Sequence, residues 1–297
     1  MGDVRFFVLT PTYGRADHIV RCIQSVQSQQ YEHWEMFIYD DGSPDETSER
    51  LKPFAVDDRI HYWVGDENRG ANYARNFLLE RILERGEPGY IATLDDDDTY
   101  VPDALERVAQ EVEALQPPWI IARCVDLEGQ PLTQLRRKGE IDYVLDHKVG
   151  NVLKGEIANF FHTSLVRDAR FMTRYRNAEE WYFYYALGER ARMWPIEFDA
   201  VVMEYTDDGL SRTQPNAKHK ADLYRMKLDR LGDHADRRVR ARLMAKRARS
   251  LFDDGQRLEG LRTLAGAFGQ WPFEGRIYQY LLQSMLPETL GGFGHRS

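Results

Sequence analysis

The chain has 297 residues, of which 42% are hydrophobic and 30% are charged, a composition typical of a globular protein with one large α/β domain and an appendage or with two modest domains. Its formal net charge of −8 argues against a general nucleic-acid-binding protein, because such proteins need cationic surface to displace counterions. Its two cysteines, Cys22 and Cys124, show no disulfide pattern, and no apolar run is long enough for a signal peptide or a membrane span, so we expect a cytoplasmic protein.

Strand-like apolar runs alternate with helix-like patterns through the first half of the chain. The predicted order is strand 4–10, helix 17–29, strand 34–40, helix 44–55, strand 60–65, helix 70–86, strand 90–94 and helix 102–115. This alternation with short connections predicts a largely parallel sheet that is covered by helices on both faces. Ligands of such sheets bind beyond the carboxyl ends of the strands.

The remainder of the chain divides into a mixed region and a helical region. In the mixed region we expect a strand and hairpin at 120–132, a helix rich in aromatic residues at 179–191 and a strand at 198–206. After residue 213 the pattern predicts only helices, at 217–231, 236–252, 256–268 and 274–285. The arginine-rich helix at 236–252 is typical of a solvated face, of a surface for anionic lipid or of an association surface.

Polar segments follow three of the predicted strands. They read "TPTYGR" at 10–15, "DDGSPDET" at 40–47 and "DDDD" at 95–98. Because the carboxyl ends of parallel strands lie at one edge of a sheet, we expect the three segments to face one cleft.

The run of four aspartates gives the clearest chemical signal. Adjacent carboxylates repel one another unless a cation is present, and oxygen ligands suit a hard cation such as Mg²⁺ or Mn²⁺. Asp95 and Asp97 project to the same side of an extended chain. The alternative is a solvated turn in which Asp98 or Thr99 caps a helix that starts at Pro102. The spacing of an EF-hand loop is absent.

The segment after the second strand combines a turn with two further aspartates. Ser43 or Asp45 is expected to cap the next helix. Capping does not explain Asp40 and Asp41 at the strand end, where a carboxylate can accept a hydrogen bond from a base N–H or a ribose hydroxyl. The segment 10–15 would add a rigid turn and an aromatic wall for a stacked base.

Four motifs together resemble glycosyltransferase family 2, whose members are inverting enzymes with the GT-A fold. The motifs are "PTY" after the first strand, "DDGSPD" after the second, "NRGANYARN" before the fourth and "DDD" after it. The resemblance covers about residues 4–213, with Gly14 standing where the family usually has asparagine. It implies the α/β fold called GT-A, which is a Rossmann-like mixed, mostly parallel sheet with helices on both faces. The donor half of this domain would occupy residues 1–118 and the acceptor half residues 119–213. The α-helical extension would then occupy 214–297.

The resemblance also implies a nucleotide-sugar donor, often UDP-linked, that lies across the strand ends. Asp41 would hydrogen-bond uracil or ribose, with Asp40 as its competitor. Asp97, with Asp95, would contact the Mn²⁺ or Mg²⁺, and Asp95 or Asp96 would lie near the ribose. The complete set that the resemblance assigns to donor binding is Pro11, Thr12, Tyr13, Arg15, Asp40, Asp41, Arg75, Asp95 and Asp96.

On the acceptor side the resemblance implies an acidic general base near the start of a later helix. The matching pair here is Glu179-Glu180, and by position Glu180 is the base and Glu179 its neighbour. The alternative is ordinary charge at a helix N-terminus. Trp181 and His162 are further acceptor-side candidates, against the alternatives of core packing and of a structural histidine.

The sequence thus predicts a metal-dependent inverting glycosyltransferase that transfers a sugar from a UDP-sugar to a hydroxyl of a glycan or lipid-linked acceptor. The alternatives are a sugar nucleotidyltransferase and a non-catalytic module that binds a nucleotide-sugar or a divalent cation. The basic C-terminal helices would allow peripheral contact with an anionic membrane at its inner face. The segment 206–213 could close over the donor, with Asp207 or Asp208 completing the metal shell. The oligomeric state is left open.

Overall fold

The structure, a computed structural model, describes residues 4–149, 152–174, 180–204, 216–232 and 235–285. The chain forms two compact units, unit 1 (Met1–Thr213) and unit 2 (Gln214–Ser297). Three of the predicted site residues, Glu179, Asp207 and Asp208, lie outside the described residues.

Unit 1 contains all the strands of the described residues and the first six helices. The strands are β1 (Phe6–Thr12), β2 (Trp34–Asp40), β3 (Ile60–Val64), β4 (Tyr90–Thr93), β5 (Thr99–Tyr100), β6 (Trp119–Val125), β7 (Thr133–Leu135), β8 (Leu153–Gly155), β9 (Ile157–His162) and β10 (Trp194–Val202). The helices of unit 1 are α1 (Ala16–Gln27), α2 (Thr47–Leu51), α3 (Ala71–Glu84), α4 (Ala104–Leu115), α5 (Thr163–Val166) and α6 (Trp181–Gly188), with a 3₁₀ helix at Lys52–Val56 and a π-helix at Tyr143–Val149.

An eight-stranded sheet of order β3-β2-β1-β4-β9-β6-β10-β5 forms the centre of unit 1. The pairs β2–β3, β1–β2, β1–β4 and β6–β10 are parallel, whereas β9 and β5 pair antiparallel with their neighbours. This arrangement confirms the predicted mixed, mostly parallel sheet. The register pairs Thr12 with Asp40 and Leu9 with Thr93, so the ends of β1, β2 and β4 lie side by side.

The core of unit 1 lies on both faces of this sheet. Every residue of β1 is buried, as expected for a central parallel strand that helices cover on both sides. Helix α1 buries Ile19, Cys22, Ile23 and Val26, which recur at helical spacing along one face. Gly86 has φ +67° just beyond α3, the left-handed conformation that commonly ends a helix.

Two helix starts differ from the prediction. The helix predicted from Pro102 begins at Ala104 with Asp103 as its N-cap residue, so the proposed caps at Asp98 and Thr99 are wrong. The reason is tertiary, because Thr99 starts strand β5, which pairs with the end of β10.

The expected cap after β2 also differs, since the N-cap residue of α2 is Glu46. Ser43 instead donates to Asp40 and accepts from the amide of Gly14 at 2.9 Å. The Asp45 carboxylate accepts from the Thr47 amide at 3.1 Å, one position inside the helix. The Ala16 amide also donates to Asp45 at 3.4 Å, so both side chains predicted as caps connect the segments that follow β1 and β2.

Unit 2 consists of four helices in the described residues. They are α7 (Ala217–Leu231), α8 (Arg237–Asp253), α9 (Arg257–Gln270) and α10 (Gly275–Met285), each within a few residues of its predicted bounds. Its small core contains Ala245 and Ala248 of α8, Leu264 and Ala267 of α9 and Ile277 of α10. None of the helices that the structure describes is long and apolar enough to span a bilayer.

Candidate functional site

The first acidic turn, residues 40–45, is held by backbone amides. Asp41 accepts hydrogen bonds from the amides of Arg69 at 3.0 Å and Gly70 at 2.6 Å. Gly42 has φ +72°, and a Cβ there would lie 2.8 Å from the backbone of Glu67, so only glycine lets this turn approach the segment before α3. Asp41 therefore fixes the entry to α3.

Asp40 has a different environment in the same turn. Its Oδ1 accepts from the amide of Ser43 at 2.9 Å. Its Oδ2 is buried and has no hydrogen-bond partner among the described residues. Burial raises the pKa of this carboxyl, while the bonds from Ser43 act in the opposite direction. An unpartnered buried carboxylate oxygen is unfavourable in the protein alone.

The second acidic turn, residues 95–98, is held by arginines. Arg15, the N-cap residue of α1, places Nη1 against the Asp97 carboxylate and 3.8 Å from Asp96 Oδ1. Arg75 of α3 places Nη2 at 2.8 Å from Asp95 Oδ1. Two guanidinium groups thus act as the counterions of the aspartate run.

Burial raises the pKa values of two aspartates in the second acidic turn. Burial raises the pKa of Asp96 to about 7, partly offset by the Arg15 charge. Burial, together with the neighbouring Asp95 and Asp97, raises the pKa of Asp98 to about 9. Burial and the mutual repulsion of these carboxylates therefore disfavour full ionisation of the turn when no further cation is bound.

Arg75 joins the second acidic turn to the predicted base. Its Nη1 lies 2.7 Å from Glu180 Oε1 at the start of α6, while its Nη2 holds Asp95. The Arg75 side chain is 7% exposed and those of both carboxylates are 47% exposed. Burial lowers the pKa of Arg75, but the charges of Glu180 and Asp95 outweigh it and raise the pKa above its usual value. One buried guanidinium therefore brings a strand-end aspartate and a helix-start glutamate to the same cleft.

The cleft has a volume of about 200 Å³. From the predicted set it is lined by Arg75, Asp95, Glu180 and Trp181. Asp98 of the aspartate run also lines it, and sequence reasoning missed several further side chains of the lining, namely Tyr143, His147, Glu156, Asn159 and Tyr184. Only Tyr184 had a usable signal, because it lies one helical turn after Glu180.

Other predicted residues lie around the strand ends or away from them. Pro11 and Thr12 are buried at the end of β1, and Tyr13 beside them is 43% exposed. His162 pairs with Tyr90 at the opposite end of β4 from the second acidic turn. There its Nδ1 lies 2.7 Å from Ser164 Oγ and it is the N-cap residue of α5, which places it outside the residues that line the cleft.

The donor atoms of the second acidic turn fit a hard divalent cation. They are carboxylate oxygens, and the guanidinium of Arg15 already stands beside Asp97 as a cation in this structure. No group of three or more His, Cys, Asp or Glu side chains is arranged to hold a metal within the described ranges. A metal at this turn would therefore take one or two protein ligands and the rest from a diphosphate or water, the usual arrangement for Mg²⁺ at phosphates.

Several known proteins resemble this chain. The model of the family described as "Glycosyl transferase family 2" matches residues 7–190. The putative teichuronic acid biosynthesis glycosyltransferase TuaG of Bacillus subtilis is 43% identical over 101 residues, which are 34% of this chain and 38% of that protein. The Escherichia coli protein WfgD, named as a UDP-Glc:alpha-D-GlcNAc-diphosphoundecaprenol beta-1,3-glucosyltransferase, is 34% identical over 106 residues, 36% of this chain and 40% of that protein.

A solved structure shares the fold over nearly the whole chain. The 1–349 fragment of S. aureus TarS, in complex with UDP-GlcNAc, matches with a TM-score of 0.69 at 16% identity, covering 94% of this chain and 84% of that one. By contrast, the matches to TuaG and WfgD each span well under half the length of the relative.

Proposed function

Because the chain belongs to glycosyltransferase family 2, we propose that it transfers a sugar from a UDP-sugar to a hydroxyl of a glycan or lipid-linked saccharide, with inversion at the anomeric carbon. The observation that carries the proposal is the bridge through Arg75, which brings Asp95 and Glu180 into one cleft at the strand ends. Chemistry at an anomeric carbon needs a diphosphate site and a general base close together, and a bridge between Asp95 and Glu180 supports such an arrangement.

Asp40 is the better candidate for the contact with the nucleoside. Asp41 already accepts hydrogen bonds from the amides of Arg69 and Gly70. Asp40 Oδ2 has no hydrogen-bond partner among the described residues, but the side chain is fully buried, so nucleoside binding would have to expose this oxygen before a base N–H or a ribose hydroxyl could donate to it. Pro11, Thr12 and Tyr13 would border the base beside it.

Asp97, with Asp95, would hold a Mn²⁺ or Mg²⁺. Such an ion neutralises the negative charge that develops on a departing diphosphate. Arg15 contacts Asp97 in the present state. When the ion binds, the Arg15 guanidinium would leave this carboxylate and pair with the diphosphate of the donor.

Glu180 would accept the proton of the attacking hydroxyl. Its carboxylate is 47% exposed, so an acceptor can reach it, and Arg75 fixes its orientation from the buried side. Trp181 and Tyr184 also line the cleft, where an aromatic face can pack against a sugar ring. His162 is not needed in this scheme.

The name of WfgD specifies a lipid diphosphate acceptor for that protein, and an acceptor of this class would suit the present chain. We accordingly propose that the protein acts in the cytoplasm, at the inner face of the membrane.

The test uses release of UDP from a panel of UDP-sugars, with Mn²⁺ and a lipid-linked or glycan acceptor, together with calorimetry of UDP binding. Glu180→Gln should lower turnover about 1,000-fold, the size of a lost general base, and leave UDP affinity within about twofold. Glu189→Gln, one residue beyond α6, is the matched control and should retain full turnover.

Three outcomes would contradict the proposal in whole or in part. Equal turnover in Glu180→Gln and the unmodified chain would remove Glu180 from the reaction. Release of pyrophosphate from a nucleoside triphosphate and a sugar phosphate, without transfer from any UDP-sugar, would identify a sugar nucleotidyltransferase. UDP binding without turnover on any acceptor would leave a non-catalytic binding module.

A further inference from the structure

Helix α9 of unit 2 has two apolar faces. One face is buried, through Gly260, Thr263, Leu264 and Ala267, and Leu264 and Ala267 belong to the core that includes Ala245 of α8. This is the ordinary packing face of a helix in a small bundle.

The second face of α9 is exposed. Leu258 is 73% exposed, Leu261 43% and Phe268 50%, and Ala265 between them is also exposed. Positions 258, 261, 265 and 268 follow the spacing i, i+3, i+7, i+10, which aligns them along one side of the helix. We name these four residues the α9 outer stripe. No described residue of the chain covers it enough to bury it.

Cationic side chains border the α9 outer stripe. Arg257 and Arg262 are exposed on either side of it. The one acidic residue of α9, Glu259, is ion-paired with Arg247 of α8. Unit 2 as a whole contains 16 Lys and Arg residues against nine Asp and Glu residues, whereas residues 1–213 contain 24 against 39. The outer stripe is therefore apolar in its centre and positive at its edges.

This charge pattern distinguishes between two kinds of occupant. The spacing of the stripe would also suit a helix from a second copy of the chain. In such a pairing Arg257 and Arg262 would flank the seam on both copies and bring like charges together, which opposes association. A bilayer surface with anionic lipid offers the opposite charge and an apolar layer beneath it.

We propose that the α9 outer stripe lies in the interface of a membrane that contains anionic lipid, with Leu258, Leu261 and Phe268 among the acyl chains and Arg257 and Arg262 at the headgroups. This surface differs from the arginine-rich helix α8 that the sequence indicated. In α8, Ala241, Ala245 and Ala248 are buried, and Arg247 and Arg249 form ion pairs with Glu259 and Asp253. The inference stands independently of the transfer reaction, because it concerns only unit 2.

The experiment is co-sedimentation of the full chain with vesicles of phosphatidylcholine alone and of phosphatidylcholine mixed with phosphatidylglycerol. The unmodified protein should bind the mixed vesicles and dissociate from them as the salt concentration is raised. Leu261→Gln/Phe268→Gln should lower the binding constant at least about tenfold, because both apolar contacts are lost. Arg257→Gln/Arg262→Gln should lower it about 30-fold on mixed vesicles only.

Val56→Gln/Val64→Gln is the matched control, since these two valines of unit 1 are 87% and 50% exposed, and it should bind as the unmodified chain does. Thermal unfolding of every variant checks that the helices remain folded. Undiminished binding by Leu261→Gln/Phe268→Gln would overturn the proposal. So would a dimer, detected by light scattering without lipid, that this variant abolishes, because the stripe would then be occupied by a second copy.

Discussion

The two acidic turns of unit 1 have the same residue type at the same place in the fold, yet they are stabilised in different ways. The first follows β2 and the second follows β4, and both of these strands pair in parallel with β1. In the first acidic turn, backbone amides of residues 69 and 70 bind Asp41. In the second, the side chains of Arg15 and Arg75 bind Asp97 and Asp95.

This difference separates a structural aspartate from one that can exchange its partner. Backbone amides are fixed by the fold and cannot leave, so Asp41 is part of the framework. An arginine side chain can rotate away and yield its place to another cation. A carboxylate paired with such a side chain is therefore available to a metal ion without any change in the backbone.

The largest effect is expected from Asp41→Ala, which removes the acceptor of the Arg69 and Gly70 amides. We expect the free energy of unfolding to fall by about 3 kcal/mol, because the bonds are charge-assisted and the Gly70 amide is buried. Urea unfolding followed by circular dichroism measures this loss. Asp41→Asn keeps one acceptor oxygen and should lose about 1 kcal/mol. An unchanged midpoint for Asp41→Ala would show that the first turn is not structural.

Asp97→Asn should give the opposite pattern, with stability retained and ligand binding lost. Calorimetry should show that UDP binds about 100-fold more weakly to this variant in Mn²⁺, a loss of about 2.7 kcal/mol. EDTA should weaken binding to the unmodified chain to the same degree. Asp103→Asn, at the start of α4, is the control and should bind UDP normally. If EDTA leaves UDP affinity unchanged, the second turn does not act through a metal.

The smallest effect is expected from Arg15→Gln, which removes the cation that contacts Asp97. Without nucleotide, Mn²⁺ should bind this variant about tenfold more tightly, because the ion no longer competes with a guanidinium. Titration monitored by electron paramagnetic resonance of free Mn²⁺ reports this directly. Arg21→Gln, whose ion pair with Glu204 is exposed, should bind Mn²⁺ as the unmodified chain does. Weaker Mn²⁺ binding by Arg15→Gln would mean that Arg15 supports the site instead of competing for it.

Much of the fold was accessible from the sequence. The alternation of apolar runs predicted β1 to β4 with the helices between them, and the helices of unit 2, because hydrophobic periodicity is a local property. Prediction was poorer where a partner distant in sequence decides. The strand β5 at Thr99–Tyr100 exists because β10, about 100 residues later, pairs with it.

For the site, the sequence by itself determined which residues could carry the chemistry, since aspartates at strand ends and a glutamate before an aromatic helix are visible as patterns. Only the tertiary structure decided their partners. It showed that Asp41 is bound by amides, that Asp40 has an oxygen without a partner among the described residues, and that Arg75 joins Asp95 to Glu180. The physical reason is that a charge in a folded protein is governed by burial and by neighbours in space, and residues 75, 95 and 180 become neighbours only when the sheet has formed.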